Sequence, residues 1–387
     1  MQRRLAAAAV RARLARFPAA ALLGPRQSGK TTLARGLSRC YYDAEQPADR
    51  VRLDLDWESL ITGRDLVVID EAQSWPELFP RLRAAIDARR RRNGRFLLLG
   101  SVAPALMRSV SESLAGRLAR IELTPFLLAE LGPSSVARLW LYGGFPDGGV
   151  LRGKRFPTWQ NNYLSLMAQR DLPTWGLSAR PQVTERLLHM LAATHAQTWN
   201  GSAIGQSLGL SYHTVNGYVE YLEGAYLVRR LAPWSGSLRK RLTKSPKVYL
   251  RDTGLLHALL RIGSRTELVR HPLAGASWEG FVVEQLLGAL TASDVDADAH
   301  YLRTGDGYEI DLILGIAGTT VAIEVKLSAN PAPQDLARLE RAADLVSAEH
   351  RYIVCQTANP ASNASRGVLD LTAAIARMKR LGASGGA

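Results

Sequence analysis

Cysteine, spaced histidine pairs and long apolar segments are scarce in this chain. Only two of its 387 residues are cysteines, Cys40 and Cys355, and they lack metal-ligand or redox spacing. This argues against a disulfide framework and fits a reducing compartment. The 7 His do not repeat at i, i+4 spacing, so no zinc site is expected. Because no apolar run is long enough to span a bilayer, we expect a soluble cytoplasmic protein with no membrane partner.

Acidic residues are fewer than basic ones. The chain has 49 Lys and Arg against 35 Asp and Glu, which gives a formal net charge of +14. Such a balance indicates a polyanionic partner, most simply double-stranded DNA or another nucleic acid. An arginine-rich composition spread evenly over a solvated surface explains the same charge, and the composition leaves both interpretations open.

The order of apolar patterns predicts several domains and an α/β fold. Three continuous apolar runs are typical of strands buried on both faces: Ala19–Leu23, Leu66–Ile69 and Phe96–Leu99. Helical patterns such as Pro76–Arg91 lie between them, which predicts a parallel sheet covered on both sides. The pattern is helical from about Thr184 to Leu231, and helix and strand signals return from about Trp278. We expect domains at residues 1–135, 136–250 and 251–380.

A complete phosphate-loop motif follows the first apolar run. The segment fits G-x-x-x-x-G-K-[ST] at every required position and consists of Gly24, Pro25, Arg26, Gln27, Ser28, Gly29, Lys30 and Thr31, with Thr32 next. The two glycines let the backbone curl so that N–H groups face phosphates, and the following helix adds its positive end. Lys30 is expected to reach the β- and γ-phosphates, and the Thr31 hydroxyl to ligate magnesium. The motif therefore predicts binding of ATP, or another nucleoside triphosphate, with Mg²⁺.

Polar residues end the second and third apolar runs. Asp70 and Glu71 are expected at the carboxyl end of a buried strand, where open α/β sheets bind ligands. Asp70 would hold magnesium, and Glu71 would orient and deprotonate the attacking water. Ser101 either senses the γ-phosphate or holds that water, or it caps the next element. Arg117 is either an arginine finger supplied to a neighbouring subunit of a homo-oligomer or a surface residue.

The middle of the chain has a helix-turn-helix pattern. Ile204–Ser211 predicts a helix that turns at Gly209, and Ser211 is a good N-cap for a second helix. That helix would bury Val215, Val219, Leu222 and Tyr226. It would expose Tyr212, His213, Asn216 and Glu220, none of which is basic.

A basic segment follows the helix-turn-helix pattern. Arg239, Lys240, Arg241, Lys244 and Lys247 predict the wing of a winged helix, which would contact phosphates better than the second helix does. A structural or protein-docking role for this module stays open beside DNA binding.

Carboxylates recur in the last third of the chain. Glu309–Leu314 and Val321–Lys326 predict two strands joined by a turn at Gly315–Thr319, which would bring Asp311 beside Glu324. Asp311 and Glu324 would hold a second Mg²⁺, and Lys326 would steady an attacking water, as in metal-dependent phosphodiester cleavage. Glu279, on a predicted amphipathic helix reaching Leu290, is a further ligand, with Glu284 as its substitute. The alternative is an exposed sheet face carrying a Glu–Lys pair.

Several of these motifs occur in the order and spacing of one family. They are the phosphate loop, Asp70–Gln73, Gly100-Ser101, Ser113–Arg117, Gly143–Pro146 and Arg170–Leu172. The chain resembles, over nearly its whole length, a prokaryotic AAA-type ATPase carrying the C-terminal domain of unknown function 4143. The resemblance implies a P-loop ATPase core, a winged-helix segment and a restriction-endonuclease-like domain, and it favours ATP over GTP. The PD-(D/E)xK residues would be Glu279, Asp311, Glu324 and Lys326.

The sequence thus favours a Mg²⁺-dependent ATPase that acts on or near nucleic acid. Two alternatives remain open. One is a nucleotide-dependent DNA-binding switch with little turnover, and the other is an ATP-gated, metal-dependent nuclease.

Overall fold

A computed structural model describes residues 2–101, 114–235 and 243–384. The chain divides into two compact units. The N-terminal unit comprises Met1–Pro125 with Gly224–Tyr226, and the C-terminal unit comprises Phe126–Glu223 with Leu227–Ala387. No helix in the described part of the chain is both long and apolar enough to cross a bilayer.

The N-terminal unit is built on a parallel sheet. Its strands are β1 (Ala19–Leu23), β2 (Tyr41–Asp43), β3 (Val67–Asp70), β4 (Phe96–Gly100) and β5 (Leu118–Glu122). Its helices are α1 (Ala6–Arg16), α2 (Lys30–Arg35), α3 (Pro47–Thr62) and α4 (Leu78–Ala88), with a 3₁₀ turn at Ala72–Ser74. In the described residues the strand order is β2-β3-β4-β1-β5, and every pair is parallel.

Both faces of this sheet are buried. Ala19 and Ala21 of β1 pack into a cluster with side chains of α3 and α4, whereas Ala20 and Leu22 enter a second cluster with α1 and α2. Successive strand residues point to opposite faces, so a continuous apolar run is needed where both faces are covered. The predicted α/β architecture with a parallel sheet is confirmed for this unit, and its carboxyl edge presents the ends of β1 and β3.

The C-terminal unit is larger and mixed. Its helices are α5 (Leu128–Leu131), α6 (Val136–Tyr142), α7 (Thr158–Leu166), α8 (Leu172–Thr174), α9 (Pro181–Ala193), α10 (Gly201–Leu208), α11 (Tyr212–Gly224), α12 (Thr253–Leu259), α13 (Arg265–Arg270), α14 (Ala274–Ala292), α15 (Pro333–Leu345) and α16 (Leu371–Ser384). Its strands are β6 (Gln197–Thr198), β7 (Val228–Pro233), β8 (Lys247–Leu250), β9 (Ala297–Arg303), β10 (Glu309–Ile316), β11 (Thr319–Val325), β12 (His350–Val354), β13 (Ala361–Ser362) and β14 (Arg366–Leu369). Short 3₁₀ and π-helical turns lie at Pro133–Ser135, Pro146–Val150, Gly153–Arg155 and Met167–Asp171.

In the described residues of this unit the strands form one sheet, ordered β13-β14-β12-β11-β10-β9-β7-β8-β6. The sheet therefore includes β6, β7 and β8, which follow or flank the helix-turn-helix, together with the strands of the C-terminal third. Antiparallel β9, β10 and β11 form its centre, and β12 pairs parallel to β11. The three-domain division at residues 135/136 and 250/251 stays a prediction.

Helix α14 differs from its prediction. It was expected to be amphipathic, but both its apolar side chains and its polar Ser277, Glu284 and Gln285 are buried. A helix that is covered on all sides needs no polar stripe, and the polar groups it buries must find partners inside the protein.

The helix-turn-helix pattern corresponds to α10 and α11. Gly209 ends α10 with φ of +68°, and the Ser211 hydroxyl accepts a hydrogen bond from the Thr214 N–H at 3.1 Å. Val215, Val219 and Leu222 are buried as predicted. Tyr226 is not part of this face, because α11 ends at Gly224 and Tyr226 follows it half-buried with φ of +61°.

The segment after α11 is a hairpin in which β7 pairs antiparallel with β8. Arg239, Lys240 and Arg241 of the predicted wing lie outside the described residues. Lys244 is exposed, whereas Lys247 is buried and does not belong to a phosphate-binding wing. The winged-helix assignment stays a prediction.

Candidate nucleotide site and C-terminal carboxylate cluster

The phosphate-loop residues connect β1 to α2. Gly24 has φ of +151° and Gly29, which precedes the first residue of α2, has φ of +97°. A Cβ at Gly24 would lie 2.2 Å from the Leu123 carbonyl oxygen. Glycine is therefore required there both by backbone conformation and by the close approach of a neighbouring chain segment.

The Lys30 side chain folds back onto the phosphate loop that precedes it. Its Nζ donates to the carbonyl oxygens of Gly24 and Pro25, each at 2.9 Å. Burial lowers the pKa of Lys30 to about 8, although the nearby carboxylates of Glu71 and Asp70 act in the opposite direction. The ammonium group is thus held where the loop curls, next to both acids that end β3.

Asp70 accepts hydrogen bonds from two hydroxyl groups. Its Oδ2 accepts from the Thr31 hydroxyl at 2.6 Å and from the Tyr41 hydroxyl at 2.7 Å. Thr31 and Asp70 were both predicted as magnesium ligands, but Tyr41 was missed, because nothing in its sequence context marks β2 as the neighbour of β3. Burial and the Asp70 carboxylate raise the pKa of Tyr41, so this hydroxyl remains a donor. The arrangement brings together the two residues expected to ligate magnesium.

Glu71 is held by three contacts. Its backbone N–H donates to Asp70 Oδ1 at 2.9 Å, and its Oε2 accepts from Ser101 Oγ at 3.2 Å and from the Gln73 side-chain amide. Its φ of +45° is in the left-handed region, which is rare for a residue other than glycine, asparagine or aspartate. Backbone strain of this kind persists where the surroundings fix it and concentrates at functional sites. The structure brings Ser101 to Glu71, and the role of Ser101 stays a prediction.

Arg4 is a contact of the phosphate loop that the sequence did not reveal. It is only 7% exposed, and its Nη1 donates to the Ser28 carbonyl oxygen at 2.8 Å while its Nη2 donates to the Thr124 carbonyl. The guanidinium group thus joins the loop to the segment after β5. Arg4 lies in a basic, alanine-rich segment far from the motif, so no sequence signal distinguishes it from its neighbours.

Arg117 forms a bidentate ion pair with Asp87 of α4. Its Nε lies 2.7 Å from Asp87 Oδ1 and its Nη2 lies 2.9 Å from Asp87 Oδ2. In the described chain this pair, rather than the phosphate loop, holds the guanidinium group. A role as a finger in a neighbouring subunit stays a prediction.

The carboxylates of the C-terminal unit converge at β10 and β11. Leu312 pairs with Ile323, so Asp311 and Glu324 are at the next position of the same antiparallel ladder. Asp311 Oδ2 accepts from the Val325 N–H at 2.9 Å, and Lys326 Nζ lies 2.6 Å from Glu324 Oε1. The predicted hairpin is confirmed, with its turn confined to Ala317 and Gly318.

Lys247 of β8 stands inside this carboxylate cluster. Its side chain is 3% exposed, and its Nζ lies 2.9 Å from Glu279, 3.0 Å from Glu309 and 3.2 Å from Asp311. Burial would lower the pKa of Lys247, but the charges of Asp311, Glu279 and Glu309 outweigh it and raise the pKa. Burial and Asp311 raise the pKa of Glu279 to about 7 against the attraction of Lys247.

Glu284 does not serve as a substitute for Glu279. Its carboxylate is paired with Arg229 of β7 and with Arg251, whose Nε lies 3.0 Å from Oε2. Burial would raise the pKa of Glu284, but the two arginines lower it to about 2. The prediction that Glu284 is an alternative metal ligand is therefore wrong, because its charge is already balanced.

The predicted second magnesium site is not preformed. Across residues 2–101, 114–235 and 243–384, no group of three or more His, Cys, Asp or Glu side chains is arranged to hold a metal ion. A cavity of about 480 Å³ does open beside Glu309, Glu324 and Lys326, with Arg338 and Arg341 on its wall. The metal-ligand roles of Glu279, Asp311 and Glu324 stay predictions.

Family models match three consecutive stretches of the chain. An AAA domain matches residues 16–132, a domain of unknown function (DUF8612) matches residues 134–266, and a domain of unknown function (DUF4143) matches residues 274–373. Their boundaries follow the change from the parallel-sheet unit to the helical segment and then to α14.

Two of the more similar solved structures are a Walker-type ATPase and a protein bound to AMPPCP. The Walker-type ATPase of Pyrococcus abyssi has a TM-score of 0.47 and 16% identity, covering 66% of this chain and 94% of that chain. AMPPCP-bound DnaA from Aquifex aeolicus has a TM-score of 0.28 and 14% identity, covering 56% of this chain and 86% of that chain. Both TM-scores are below 0.5, which is too low to support further conclusions about this chain.

Whole-chain relatives are much closer in sequence. Uncharacterized proteins of Mycobacterium tuberculosis and Mycobacterium bovis are each 39% identical over 369 residues, which is 92% of this chain and 82% of the relative. This likeness over most of the chain agrees with the matches to the N-terminal AAA domain and to the C-terminal domain of unknown function 4143. It also agrees with the geometry of the phosphate loop. The chain belongs to the prokaryotic AAA-type ATPase family that carries the C-terminal domain of unknown function 4143.

Proposed function

We propose that this protein hydrolyses ATP with Mg²⁺ at the carboxyl edge of the N-terminal sheet. The observation that carries the proposal is a continuous hydrogen-bonded chain of the residues expected to act. Thr31 donates to Asp70 at 2.6 Å, the Glu71 N–H donates to Asp70 at 2.9 Å, and Ser101 donates to Glu71 at 3.2 Å. Such a chain links the magnesium ligands to the acid that activates water.

Each residue has a separate task in this proposal. Lys30 would exchange the carbonyl oxygens of Gly24 and Pro25 for the β- and γ-phosphates, which the ammonium attracts more strongly. Thr31 and Asp70 would hold magnesium, which neutralises charge on the phosphates. Glu71 would orient and deprotonate water.

Ser101 and Tyr41 support the two acids. The Ser101 hydroxyl would fix the direction of the Glu71 carboxylate, and the Tyr41 hydroxyl would fix that of Asp70. Both are positioning residues, because each acts through an acid and not on the nucleotide. Preorganised carboxylates of this kind need no rearrangement when charge develops in the transition state.

The test is phosphate release from wild type and from Glu71→Gln, with Glu77→Gln as the matched control. Glu77 is exposed near the start of α4 and contacts none of the site residues in the described chain. Removing a general base should lower phosphate release by at least about 100-fold. The Glu71→Gln variant should still bind labelled ATP with magnesium, and Lys30→Ala should not. Equal turnover by wild type and Glu71→Gln would reject the assigned role.

Arg117 would complete the site of a neighbouring subunit in a homo-oligomer. Because it is paired with Asp87 in the described chain, the finger role requires that pair to open during assembly. Turnover per chain should then rise with protein concentration in wild type and stay flat in Arg117→Ala. A concentration-independent rate in wild type would leave Arg117 as a surface ion pair.

Binding of duplex DNA is a second candidate function, supported by the net charge of +14. The second helix of the helix-turn-helix offers little, because Asn216 is half-buried and accepts a hydrogen bond from Trp199 Nε1 at 2.7 Å. Exposed Lys244 lies between β7 and β8, three residues before β8 begins. The logarithm of the binding constant for a labelled duplex should fall linearly with the logarithm of salt concentration, and salt-independent binding would exclude a phosphate-driven contact.

A further inference from the structure

The restriction-endonuclease-like pattern implies a metal ion, but the cluster already contains a cation. Lys247 reaches Glu279, Glu309 and Asp311 within 3.2 Å or less, from a strand that the pattern does not include. The ring centre of Tyr301 lies 5.6 Å from Nζ. An ammonium group at this position neutralises carboxylates that would otherwise be buried with like charge.

We propose that Lys247 takes the place of a divalent cation in this cluster, so that the carboxylates fasten β8 to α14 and β10 instead of holding magnesium. The inference is independent of ATP hydrolysis, since it concerns the C-terminal unit alone. It also separates the endonuclease-like pattern of Asp311, Glu324 and Lys326 from metal-dependent cleavage.

Oxygens of Asp311 and Glu279 already accept hydrogen bonds from other groups. Asp311 uses Oδ1 for Lys247 and Oδ2 for the Val325 N–H. Glu279 Oε1 accepts from both Lys247 and the Tyr249 hydroxyl. A magnesium ion bound by Asp311 and Glu324 would share Asp311 oxygens that already accept hydrogen bonds from the Lys247 ammonium and the Val325 N–H.

The Glu324 carboxylate has one oxygen that is not paired with Lys326. Glu324 Oε2 is buried and has no hydrogen-bond partner in the described residues, while Oε1 is paired with Lys326. One open oxygen does not make a coordination site for Mg²⁺, which needs near-octahedral geometry. A dication placed there would also be repelled by the ammonium groups of Lys247 and Lys326, since both lie on carboxylates that it would share.

Lys247 connects the β7–β8 hairpin, which follows the helix-turn-helix, to the carboxylates of the C-terminal third. β8 pairs with β7 through residues 228–231, and Lys247 is the first residue of β8. The paired arginines of Glu284 come from β7 and from the residue after β8. Two separate buried ion clusters thus join α14 to this hairpin, and the cation comes from the hairpin side each time.

The test is uptake of Mn²⁺ by the full chain without nucleotide, measured from the loss of the free Mn²⁺ spin-resonance signal. Wild type and Asp311→Asn should take up equal amounts, because wild-type Asp311 holds no metal. Lys247→Gln should take up about one equivalent more, and Lys247→Gln with Asp311→Asn should lose it. Lys244→Gln is the matched control, since Lys244 is exposed three residues away on the same segment.

Two results would overturn the proposal. One is a wild-type Mn²⁺ equivalent that disappears in Asp311→Asn, which would show that a metal coexists with Lys247. The other is a folded Lys247→Gln that takes up no more Mn²⁺ than wild type, which would show that the cluster is not built for a cation of higher charge. If Lys247→Gln does not unfold cooperatively, the comparison of wild type with Asp311→Asn still decides the question.

Discussion

Arg4 offers the sharpest test of how the phosphate loop is held in shape. The perturbation is Arg4→Ala, and the matched control is Arg3→Ala, because Arg3 is the exposed neighbour with the same charge. Arg4 donates to the carbonyl oxygens of Ser28 and Thr124, and more weakly to Pro125 at 3.5 Å. Removing it leaves the first two acceptors without this donor.

The magnitude follows from the burial of those acceptors. Ser28 is 0% exposed and Thr124 is 8% exposed, so water reaches them poorly. A buried acceptor left without its donor costs about 1–3 kcal/mol, and hydrogen bonds from a charged group are at the high end. Because water can enter part of the vacated space, we expect a loss of about 3 kcal/mol. For a unit of this size that corresponds to a fall in Tm of about 10 °C.

The assay combines thermal unfolding with amide hydrogen exchange across residues 20–37. Arg4→Ala should lower the Tm of thermal unfolding and speed amide exchange in the phosphate-loop peptide. Arg3→Ala should change the free energy of unfolding by no more than about 0.5 kcal/mol. Arg4→Lys should recover only part of the lost stability, because an ammonium group cannot donate to two carbonyls in the fixed fork of a guanidinium group. Identical melting and exchange for Arg4→Ala and Arg3→Ala would refute the reasoning.

Two further predictions concern buried charge. Burial lowers the pKa of Lys30 to about 8, and a bound triphosphate favours the charged form of this side chain. The protein should therefore take up a proton when it binds the triphosphate at pH 8.5 but not at pH 6.5, and its affinity should fall as pH rises through 8. Calorimetry in two buffers of different ionisation enthalpy measures the proton uptake, and equal uptake at both pH values would contradict the prediction. Glu284→Gln should cost about 3–5 kcal/mol, because it removes the buried carboxylate that pairs with both Arg229 and Arg251, whereas Glu340→Gln, which breaks an exposed pair, should cost at most about 1 kcal/mol by chemical denaturation.

The N-terminal unit was predictable because its signals are local. Five adjacent apolar residues specify β1, and the phosphate loop must follow it immediately, so the strand, the loop and α2 are all encoded within residues 19–35. The placement of Asp70 at the same edge as Thr31 followed from the rule that ligands bind at the carboxyl ends of parallel strands, and the two side chains are in contact. Tyr41 and Arg4 were not predictable in this way, because their contacts with Asp70 and Ser28 depend on strand order and chain entry.

The C-terminal unit shows where local patterns fail. The alternation of acidic and apolar residues in Glu309–Leu314 is typical of a half-buried strand, yet β10 is buried along most of its length because helices cover both faces of the sheet. Lys247 was assigned to a solvated wing because it ends a basic run. Its actual neighbours are 32 and 64 positions away in the sequence, at Glu279 and Asp311.

Arg4 and Lys247 share one physical logic, which bears on the charge of the whole chain. Each is a cation from outside a recognisable motif that satisfies the motif's buried oxygens, carbonyls at Ser28 for the first and carboxylates at Asp311 for the second. Arg95, 3% exposed, likewise donates to the Ala85 and Ile61 carbonyls. Part of the net charge of +14 is therefore internal and unavailable to a polyanion. The strength of any nucleic-acid contact must be judged from exposed cations such as Lys244, because composition counts buried and exposed charges alike.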